Sequence, residues 1–195
     1  LKNLKINVNE KTKTNPISYY GYTKKICEDY IVKNCKKKFI ILRYFNVVGS
    51  ESKINCGIVD KKSKQLFANI NRSVIKKENK VSVYGSDYPT KDGTCVRDYI
   101  HVGDIAYIHQ LCIQYLTKNN STIFNCGYKK GYSVKEIIDR YEKIYKIKIN
   151  KLFLHRRKGD PAKMVCDNSK IKKKLKWKPK YNNLDNMIKT SYKWH

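Results

Sequence analysis

The sequence predicts an α/β fold, on the strength of three observations. Short apolar runs of strand length alternate with longer segments in which apolar residues recur every three or four positions. The connections between these segments are short. No internal repeat or low-complexity linker divides the 195 residues. Regular alternation of strands and helices with short connections is typical of α/β proteins, so we assign the chain to that class.

The first half of the chain opens with a helix that precedes a strand. Residues 18–34 have helical periodicity, and Ser18 is a candidate N-cap. Residues 39–42 (Phe-Ile-Ile-Leu) form a continuous apolar run bounded by charge, which predicts a strand buried on both faces. Residues 66–75 predict a second helix, and residues 81–84 predict a strand that ends at a glycine before a turn-rich loop.

The second half continues the alternation. Strands are predicted over residues 99–102, 123–126 and 151–154. Helices are predicted over residues 105–116, from Ser133 onward and within the basic segment 170–180, and a final helix is predicted to end at Trp194. Ser133 and Glu136 have the spacing of a capping box, which marks the start of the middle helix. His101 lies inside an apolar run, so we expect a structural role for it.

The net charge of +27 comes from 43 Lys and Arg residues against 16 Asp and Glu residues. A chain this basic raises the question of nucleic-acid binding. The lysines are spread through the whole sequence beside abundant Asn, Ile and Tyr, as a codon bias toward A and T would produce, and only residues 170–180 are locally dense. We therefore expect no nucleic-acid partner.

The seven cysteines form no C-x-x-C pair, and no histidine has zinc-finger spacing, so we expect neither a disulfide framework nor a metal site. Scattered thiols suit a reducing compartment, which favours the cytoplasm. The longest apolar runs are strand-sized and the first residues do not resemble a signal peptide, so we expect no membrane association.

Tyr20 and Lys24 are four residues apart on the first predicted helix, which places the phenol and the ammonium group on one face. A nearby cation favours the phenolate form, and such a tyrosine can exchange a proton with an alcohol. In a chain with 16 tyrosines and many lysines, a chance pair on the helix surface is the simpler interpretation of this spacing alone.

Three longer segments make the pair informative. They are residues 15–24 (Asn-Pro-Ile-Ser-Tyr-Tyr-Gly-Tyr-Thr-Lys), residues 42–49 (Leu-Arg-Tyr-Phe-Asn-Val-Val-Gly) and residues 83–104, which include Asp-Tyr-Pro-Thr-Lys-Asp-Gly-Thr and Arg-Asp-Tyr-Ile-His-Val. Together with Arg-Arg-Lys-Gly-Asp-Pro-Ala at 156–162, they resemble the extended short-chain dehydrogenase/reductases, and within them the UDP-glucose 4-epimerases.

The resemblance implies a fold: the C-terminal part of a Rossmann (NAD-binding) parallel sheet plus a smaller α/β substrate-binding lobe. Residues 1–50 would be the remnant of the NAD-binding domain. Residues 51–195 would be mainly the UDP-sugar-binding lobe, with residues 95–125 returning to the nucleotide domain. Partners implied in the same way are UDP-glucose and UDP-galactose, with a homodimer when the protein is full length.

The implied reaction is NAD-dependent epimerisation at C4 of the sugar, as in galactose metabolism. Tyr20 would remove the proton of the 4-hydroxyl while hydride passes to NAD, and hydride would return to the other face of the 4-ketose. Lys24 would assist Tyr20 and contact the nicotinamide ribose, and Phe45 would lie beside the cofactor.

The resemblance also implies a set of substrate-binding residues. Arg97 and Arg157 would pair with the diphosphate through planar guanidinium donors, and Asp160 would accept hydrogen bonds from ribose hydroxyls. Met164 falls where side-chain bulk would gate N-acetylated sugars. The remaining positions expected to contact the nucleotide sugar are Asn46, Gln65, Leu66 and Tyr84.

One feature of the family's nucleotide domain is missing from the sequence. None of the nine glycines falls in the Gly-rich arrangement that lets a backbone approach a pyrophosphate. We therefore expect the chain to be the C-terminal portion of an epimerase, marginally stable alone and unable to retain NAD. A non-catalytic protein that binds UDP-sugars and a sister UDP-sugar epimerase or decarboxylase remain the alternatives.

Overall fold

The computed structural model describes residues 7–51, 56–57 and 62–195 of the chain. Its helices are α1 (Tyr19–Asn34), α2 (Leu66–Ile75), α3 (Val102–Lys118), α4 (Val134–Tyr145), α5 (Ser169–Leu175) and α6 (Leu184–Trp194). Its strands are β1 (Asn7–Val8), β2 (Ile40–Tyr44), β3 (Asn46–Val48), β4 (Lys80–Tyr84), β5 (Val96–His101), β6 (Thr122–Cys126), β7 (Gly131–Ser133), β8 (Asn150–Leu154) and β9 (Lys163–Cys166). The predicted α/β class is confirmed.

Parallel pairing dominates the sheets. One sheet has the strand order β1-β9-β5-β3, with β7 joined to β5 in the antiparallel direction. Two separate parallel pairs are formed by β2 with β6 and by β4 with β8. Strands β3 and β5 thus bring together two regions of the chain that the sequence separates by about fifty residues.

The core of the C-terminal part forms where α2, α4 and α6 meet. The ring of Phe67 packs against Tyr99 and Tyr141, with ring centroids 5.2 and 5.9 Å apart. The buried amide of Asn71 donates to Ser191 O and accepts a 2.8 Å hydrogen bond from the hydroxyl of Tyr141. Because Asn71, Tyr141 and Ser191 are hydrogen-bonded to one another, the helices that carry them can pack together although these polar residues are buried.

The local helix signals in the sequence are confirmed. The Ser18 side chain caps α1 by accepting from the amide of Gly21, and Ser133 and Glu136 form both hydrogen bonds of a capping box at α4. His101 is buried and caps α3 by accepting from the amide of Gly103, as expected of a structural residue.

The expectation that the first apolar strand is buried on both faces is wrong. Residues Ile40 to Arg43 are half-buried and Tyr44 is exposed. The reason is that β2 pairs with β6 alone among the described strands, while Arg43 turns toward α1 and forms an ion pair with Glu28. Four short strands, β1, β3, β7 and β9, and the first turn of α3 were also absent from the sequence-based assignment.

Helix α1 is exposed along its length. None of its residues is buried. Seven of its large apolar side chains are exposed: Tyr19, Tyr20, Tyr22, Ile26, Tyr30, Ile31 and Val32. The helix is fastened to the sheet by the Glu28–Arg43 ion pair, and Arg43 also donates to the carbonyl of Glu10. Within the described residues no helix is both long and apolar enough to cross a membrane.

A buried carboxylate ties the central sheet to the loop after β6. Asp98 is fully buried, and its oxygens accept from the backbone amides of Tyr128, Lys129 and Cys166 at 2.9–3.1 Å. Burial raises the pKa of Asp98 to about 6 in spite of these hydrogen bonds. The carboxylate is the acceptor for these three amides, so its removal would leave buried N–H groups without this partner.

We therefore expect Asp98→Ala to lower the free energy of unfolding by about 3 kcal/mol or more, because it leaves several buried N–H groups without acceptors. Asp98→Asn keeps one acceptor oxygen and should cost less. Urea unfolding followed by circular dichroism measures both. The matched control is Asp29→Ala, which removes an exposed ion pair with Lys25 and should cost under about 1 kcal/mol. Equal decreases in the free energy of unfolding of the two alanine variants would show that Asp98 does not hold the loop to the sheet.

Candidate active site

The first part of the candidate site is the N-terminal end of α1. The Nζ atom of Lys24 lies over the ring of Tyr20, 5.3 Å from its centroid, so the two side chains share one face as the spacing predicts. Both side chains are exposed, and Tyr20 retains 71% of its accessible surface. The Ser18 cap holds the start of this helix, which fixes the direction in which Tyr20 leaves it.

Phe45 and Asn46 follow directly at the carboxyl end of β2. The amide of Phe45 donates to the carbonyl of Cys126, which continues the β2–β6 ladder, and its side chain is half-buried. Asn46 is the first residue of β3 and donates from Nδ2 to the carbonyl of Asp98 at 3.1 Å. Asn46 is therefore held beside β5, and its side-chain oxygen makes no hydrogen bond among the described residues.

Arg97 on β5 is the centre of the second part of the site. Its Nη1 donates to the carbonyl of Val96 at 2.9 Å, and its Nη2 lies 3.4 Å from Oδ1 of Asp160. Nη2 is buried and makes no hydrogen bond within the described residues. Met164 on β9 is paired with Arg97 in the parallel ladder, so both side chains project from the same face of the sheet. Arg97 is thus positioned by protein atoms and keeps a donor for a further acceptor.

Tyr84 and Arg157 form a third part of the site, next to the second. The guanidinium of Arg157 lies 3.8 Å from the centroid of the Tyr84 ring, at the end of β4. Arg157 is exposed, and its carbonyl accepts from the amide of Asp160 at 3.2 Å, so a single turn carries both residues. This turn links the second and third parts.

Gln65 and Leu66 lie at the beginning of α2. Gln65 occupies the N-cap position without a side-chain capping bond, and Leu66 is half-buried as the first helical residue. Their neighbour Lys64 lines a cavity that Tyr84 and Arg157 also line, which brings this end of α2 toward the third part of the site.

The turn that carries Arg157 and Asp160 also touches the chain just before Tyr20. Gly159 has a positive φ of 86°, and a Cβ atom added to it would lie 3.1 Å from Cδ1 of Ile17. Glycine is required for that backbone conformation and fits the close approach. The structure therefore places the arginine turn against the segment that leads into α1, three residues before the candidate base.

Sequence reasoning missed Tyr88 and Arg156. Tyr88 is buried, its hydroxyl lacks a hydrogen-bond partner among the described residues, and burial raises its pKa. The guanidinium of Arg156 lies 4.4 Å from the Tyr88 ring centroid and is held by the carboxylate of Asp87. The sequence did contain a signal: two adjacent arginines, and two tyrosines four residues apart on either side of Gly85. The structure shows that each arginine stacks on one of these tyrosines.

The thiols near the site are not prepared for chemistry. Burial raises the pKa of Cys95, and it does the same for Cys126 and Cys166. A raised pKa keeps a thiol protonated and therefore a poor nucleophile. No group of His, Cys, Asp and Glu that could hold a metal ion is found in residues 7–51, 56–57 and 62–195.

The arrangement suits an anionic, hydroxyl-rich ligand. Guanidinium groups with free donors match phosphate oxygens, and the carboxylate of Asp160 can accept from hydroxyl groups. The exposed phenol and ammonium of Tyr20 and Lys24 can exchange a proton with a hydroxyl placed beside them.

A family model described as GDP-mannose 4,6 dehydratase matches residues 2–190. A UDP-glucose 4-epimerase from Lactobacillus helveticus is 40% identical over 98% of the chain, and a UDP-arabinose 4-epimerase from Arabidopsis thaliana is 36% identical over 96%. The matches span 59% and 46% of those two relatives. The chain thus covers about half the length of the relatives it matches.

Solved structures give the same result. The UDP-glucose 4-epimerase from Bifidobacterium longum, in complex with NAD+ and UDP, superimposes with a TM-score of 0.82 at 35% identity. The match covers 99% of this chain and 58% of that one. The resemblance to UDP-glucose 4-epimerases inferred from the sequence motifs is confirmed.

The contact between Gly159 and Ile17 leads to a prediction. Gly159→Ala places a side chain at a positive φ and should destabilise the closed turn by about 1 kcal/mol. This corresponds to roughly a fivefold rise in the population of molecules in which the turn is open. Hydrogen exchange of the Asp160 amide, which closes that turn, measures the change. Lys158→Ala, in the same turn, should leave the exchange rate unaltered. If the alanine at 159 has no effect on exchange, Gly159 is not required for the turn.

Proposed function

The chain belongs to the GDP-mannose 4,6 dehydratase family, and from that membership we propose that the whole protein is an NAD-dependent UDP-sugar 4-epimerase. The leading substrates are UDP-glucose and UDP-galactose, which would assign the protein to galactose metabolism. Support comes from the relatives, which are named as 4-epimerases of UDP-sugars, and from the candidate site. The single observation that carries most weight is the state of Arg97.

Arg97 is a half-buried cation whose Nη2 atom is buried and makes no hydrogen bond within the described residues. Asp160 is its one ion-pair partner among the described residues, and Nη2 has no hydrogen bond. Buried donors without a hydrogen bond are rare in folded proteins, and this one supports the proposal that a ligand supplies an acceptor at Arg97. A diphosphate oxygen supplies such an acceptor, and Arg157 would contact the same group from the exposed side of the turn.

Asp160 and Met164 would define the surroundings of the rest of the ligand. Asp160 faces Arg97 through Oδ1, and its other carboxylate oxygen would accept from ribose hydroxyls. Met164 is 40% exposed and shares a sheet face with Arg97, so its side chain would limit the space next to the diphosphate. A flexible thioether of intermediate size leaves room for sugars of different bulk. Asn46, Gln65, Leu66 and Tyr84 complete the proposed substrate set.

Tyr20 would act as base and acid on the sugar 4-hydroxyl. Lys24 stands over its ring and would stabilise the phenolate through charge, and the same ammonium group would donate to ribose hydroxyls of the cofactor. NAD held beside these residues would supply the acceptor and the donor for the hydride at C4. Tyr20, Lys24 and the half-buried Phe45 are the described residues that fit the nicotinamide end of NAD.

The domain division is part of the proposal. Residues 1–50 would belong to the nucleotide domain, and residues 51–195 mainly to the substrate lobe, with residues 95–125 returning. The pairing of β2 with β6 supports this return, since it joins strands from both stretches. A homodimer, a cytoplasmic location and the absence of a nucleic-acid partner complete the proposal; the free thiols of the described cysteines support the location.

Two alternatives share this site. A sister epimerase would use the same tyrosine on a different UDP-sugar, and the similarity to a UDP-arabinose 4-epimerase favours including pentose substrates in the test. A non-catalytic protein would bind the nucleotide sugar without converting it. Binding and turnover must therefore be measured separately.

Turnover tests the role of Tyr20. In the NAD-loaded protein we expect UDP-galactose to give UDP-glucose, and Tyr20→Phe to lower the rate on the order of 100-fold or more, because the proton acceptor is lost. Nucleotide chromatography measures both sugars, with UDP-arabinose in a parallel reaction. Tyr22→Phe is the matched control on the same helix and should retain full activity. A Tyr20→Phe protein as active as the control would remove the proposed base.

Binding tests the role of Arg97. Arg97→Met should weaken the affinity for UDP about 30-fold, since charge-assisted hydrogen bonds of about 2 kcal/mol are lost. Isothermal titration calorimetry gives the dissociation constants. Arg140→Met removes an arginine paired with Asp185 on the far helices and should bind UDP normally. Unchanged affinity in Arg97→Met would exclude a diphosphate contact there.

A further inference from the structure

Strand β8 is the exposed edge of a two-stranded parallel sheet. It pairs with β4 on one side, and no strand in the described part of the chain pairs with its other side. The amide of Asn150 and the carbonyl of Leu154 bond to residues on either side of β4. Because backbone groups alternate in direction along a strand, those of Lys151 and Phe153 face outward. The strand therefore offers main-chain donors and acceptors to a further strand.

The same edge is apolar. Leu152, Phe153 and Leu154 follow one another and retain 42%, 52% and 46% of their accessible surface. Successive side chains of a strand point to opposite faces, so both faces of the edge carry apolar groups. Phe153 is aligned with Val83 of β4, which is buried. The apolar inner face of the sheet thus continues as far as β8 and is open to solvent at Phe153.

Both ends of β8 carry cations that the described protein leaves without an ion pair. Lys146 and Lys148 precede the strand, Lys158 follows it, and all three are exposed. None of them pairs with a carboxylate among the residues that the structure describes. Lys151, within the strand, differs because two carboxylates of α4 neutralise it. An apolar edge between unpaired cations complements a segment with apolar residues in its middle and acids at its ends.

Protection of the edge is the simpler explanation for the lysines, and it covers only part of the pattern. Charged side chains beside an edge strand discourage pairing between copies of a protein. Protection alone gives no reason for large apolar side chains on the strand itself. Three adjacent apolar residues exposed on an open edge indicate a surface that another chain covers.

A second copy of this chain fits the edge less well than an acidic segment does. Two β8 strands related by a two-fold axis would run antiparallel. The cations that precede one strand would then lie beside the cation that follows the other. Like charges that face each other across paired strands are destabilising, and each copy carries a net charge of +27. Charge therefore favours a partner of opposite sign.

We propose that the free edge of β8 binds an extended acidic segment of a protein partner by β-strand addition. The outward backbone groups of β8 would pair with the segment, its apolar residues would cover Phe153, and its acids would meet Lys148 and Lys158. The added strand would lie on the side of β8 away from β4, and so away from the backbone of Tyr84. Strand addition here does not depend on the proposed enzymatic function.

Fluorescence anisotropy with a labelled peptide, Asp-Glu-Val-Tyr-Val-Ile-Val-Glu-Asp, tests strand addition to the 195-residue chain. An ionic strength of about 0.15 M screens diffuse attraction. We expect one saturable site. The same peptide with N-methyl groups on the amides that would face β8 keeps its side chains and charge but loses the donors that pair with the edge. Its affinity should be lower on the order of 100-fold, because several hydrogen bonds are lost.

Variants of the chain locate the site. Phe153→Thr should weaken peptide binding about tenfold, because it removes apolar area and keeps a residue suited to a strand. Lys148→Gln/Lys158→Gln should also weaken it about tenfold, since two nearby charges are removed. The matched control is Lys172→Gln/Lys174→Gln on α5, which loses the same charge away from β8 and should bind the peptide normally. All three variants should bind UDP as the parent does.

Four outcomes would overturn strand addition by an acidic segment. They are the absence of a saturable site, equal affinity for the methylated and unmethylated peptides, equal losses in the lysine variants of β8 and α5, and self-association through the edge. Sedimentation velocity measures the last of these: a dimer of the parent chain that Phe153→Thr abolishes would assign the edge to a second copy.

Discussion

The structure depends on a carboxylate that is buried where three strands meet. Asp98 holds the loop after β6 and the end of β9 through its side chain, and its carbonyl holds Asn46 at the start of β3. The residue before Asp98 in β5 is Arg97, the half-buried cation of the candidate site. The position of Arg97 therefore follows from the same strand that Asp98 holds, so the proposed diphosphate contact would lie next to the buried carboxylate in the sequence. Burial raises the pKa of Asp98, and the hydrogen bonds from the backbone amides offset part of that rise.

A second buried carboxylate, just beyond the end of β5, accepts hydrogen bonds from backbone amides in the same way. Asp104, at the start of α3, accepts from the hydroxyl of Tyr128 and from the amides of Lys180 and Tyr181. Tyr128 in turn donates its amide to Asp98 and its hydroxyl accepts from the amide of His101. Two acids and one tyrosine thus satisfy backbone amides of two loops and of the ends of β5 and β9.

Sequence reasoning worked where local chemistry decides structure. The bounds of α2 and the capping box of α4 were predicted correctly, because helical periodicity and a cap are contained in a few neighbouring residues. It failed for β3 and β9, whose three or four residues become strands only because β5 lies between them. The same limit applies to the site: the ion pair of Arg97 with Asp160 joins residues 63 positions apart, and the pairing of Met164 with Arg97 is set by strand register. Motif resemblance selected these residues; only the fold shows how they are held.

The exposure of Tyr20 sets a condition on its proposed role. In water a cation several ångströms away stabilises a phenolate by about 1 kcal/mol, and by a few kcal/mol when the pair is partly removed from solvent. Lys24 Nζ lies 5.3 Å from the centroid of the Tyr20 ring, and both side chains are open to water in the described structure. Catalysis by Tyr20 therefore requires that something covers the pair. The arginine turn contacts Ile17, three residues before Tyr20, so a ligand held by Arg97 and Arg157 would lie where it can exclude water from the phenol. In this proposal, binding of the diphosphate and activation of the base are coupled through one glycine-dependent contact.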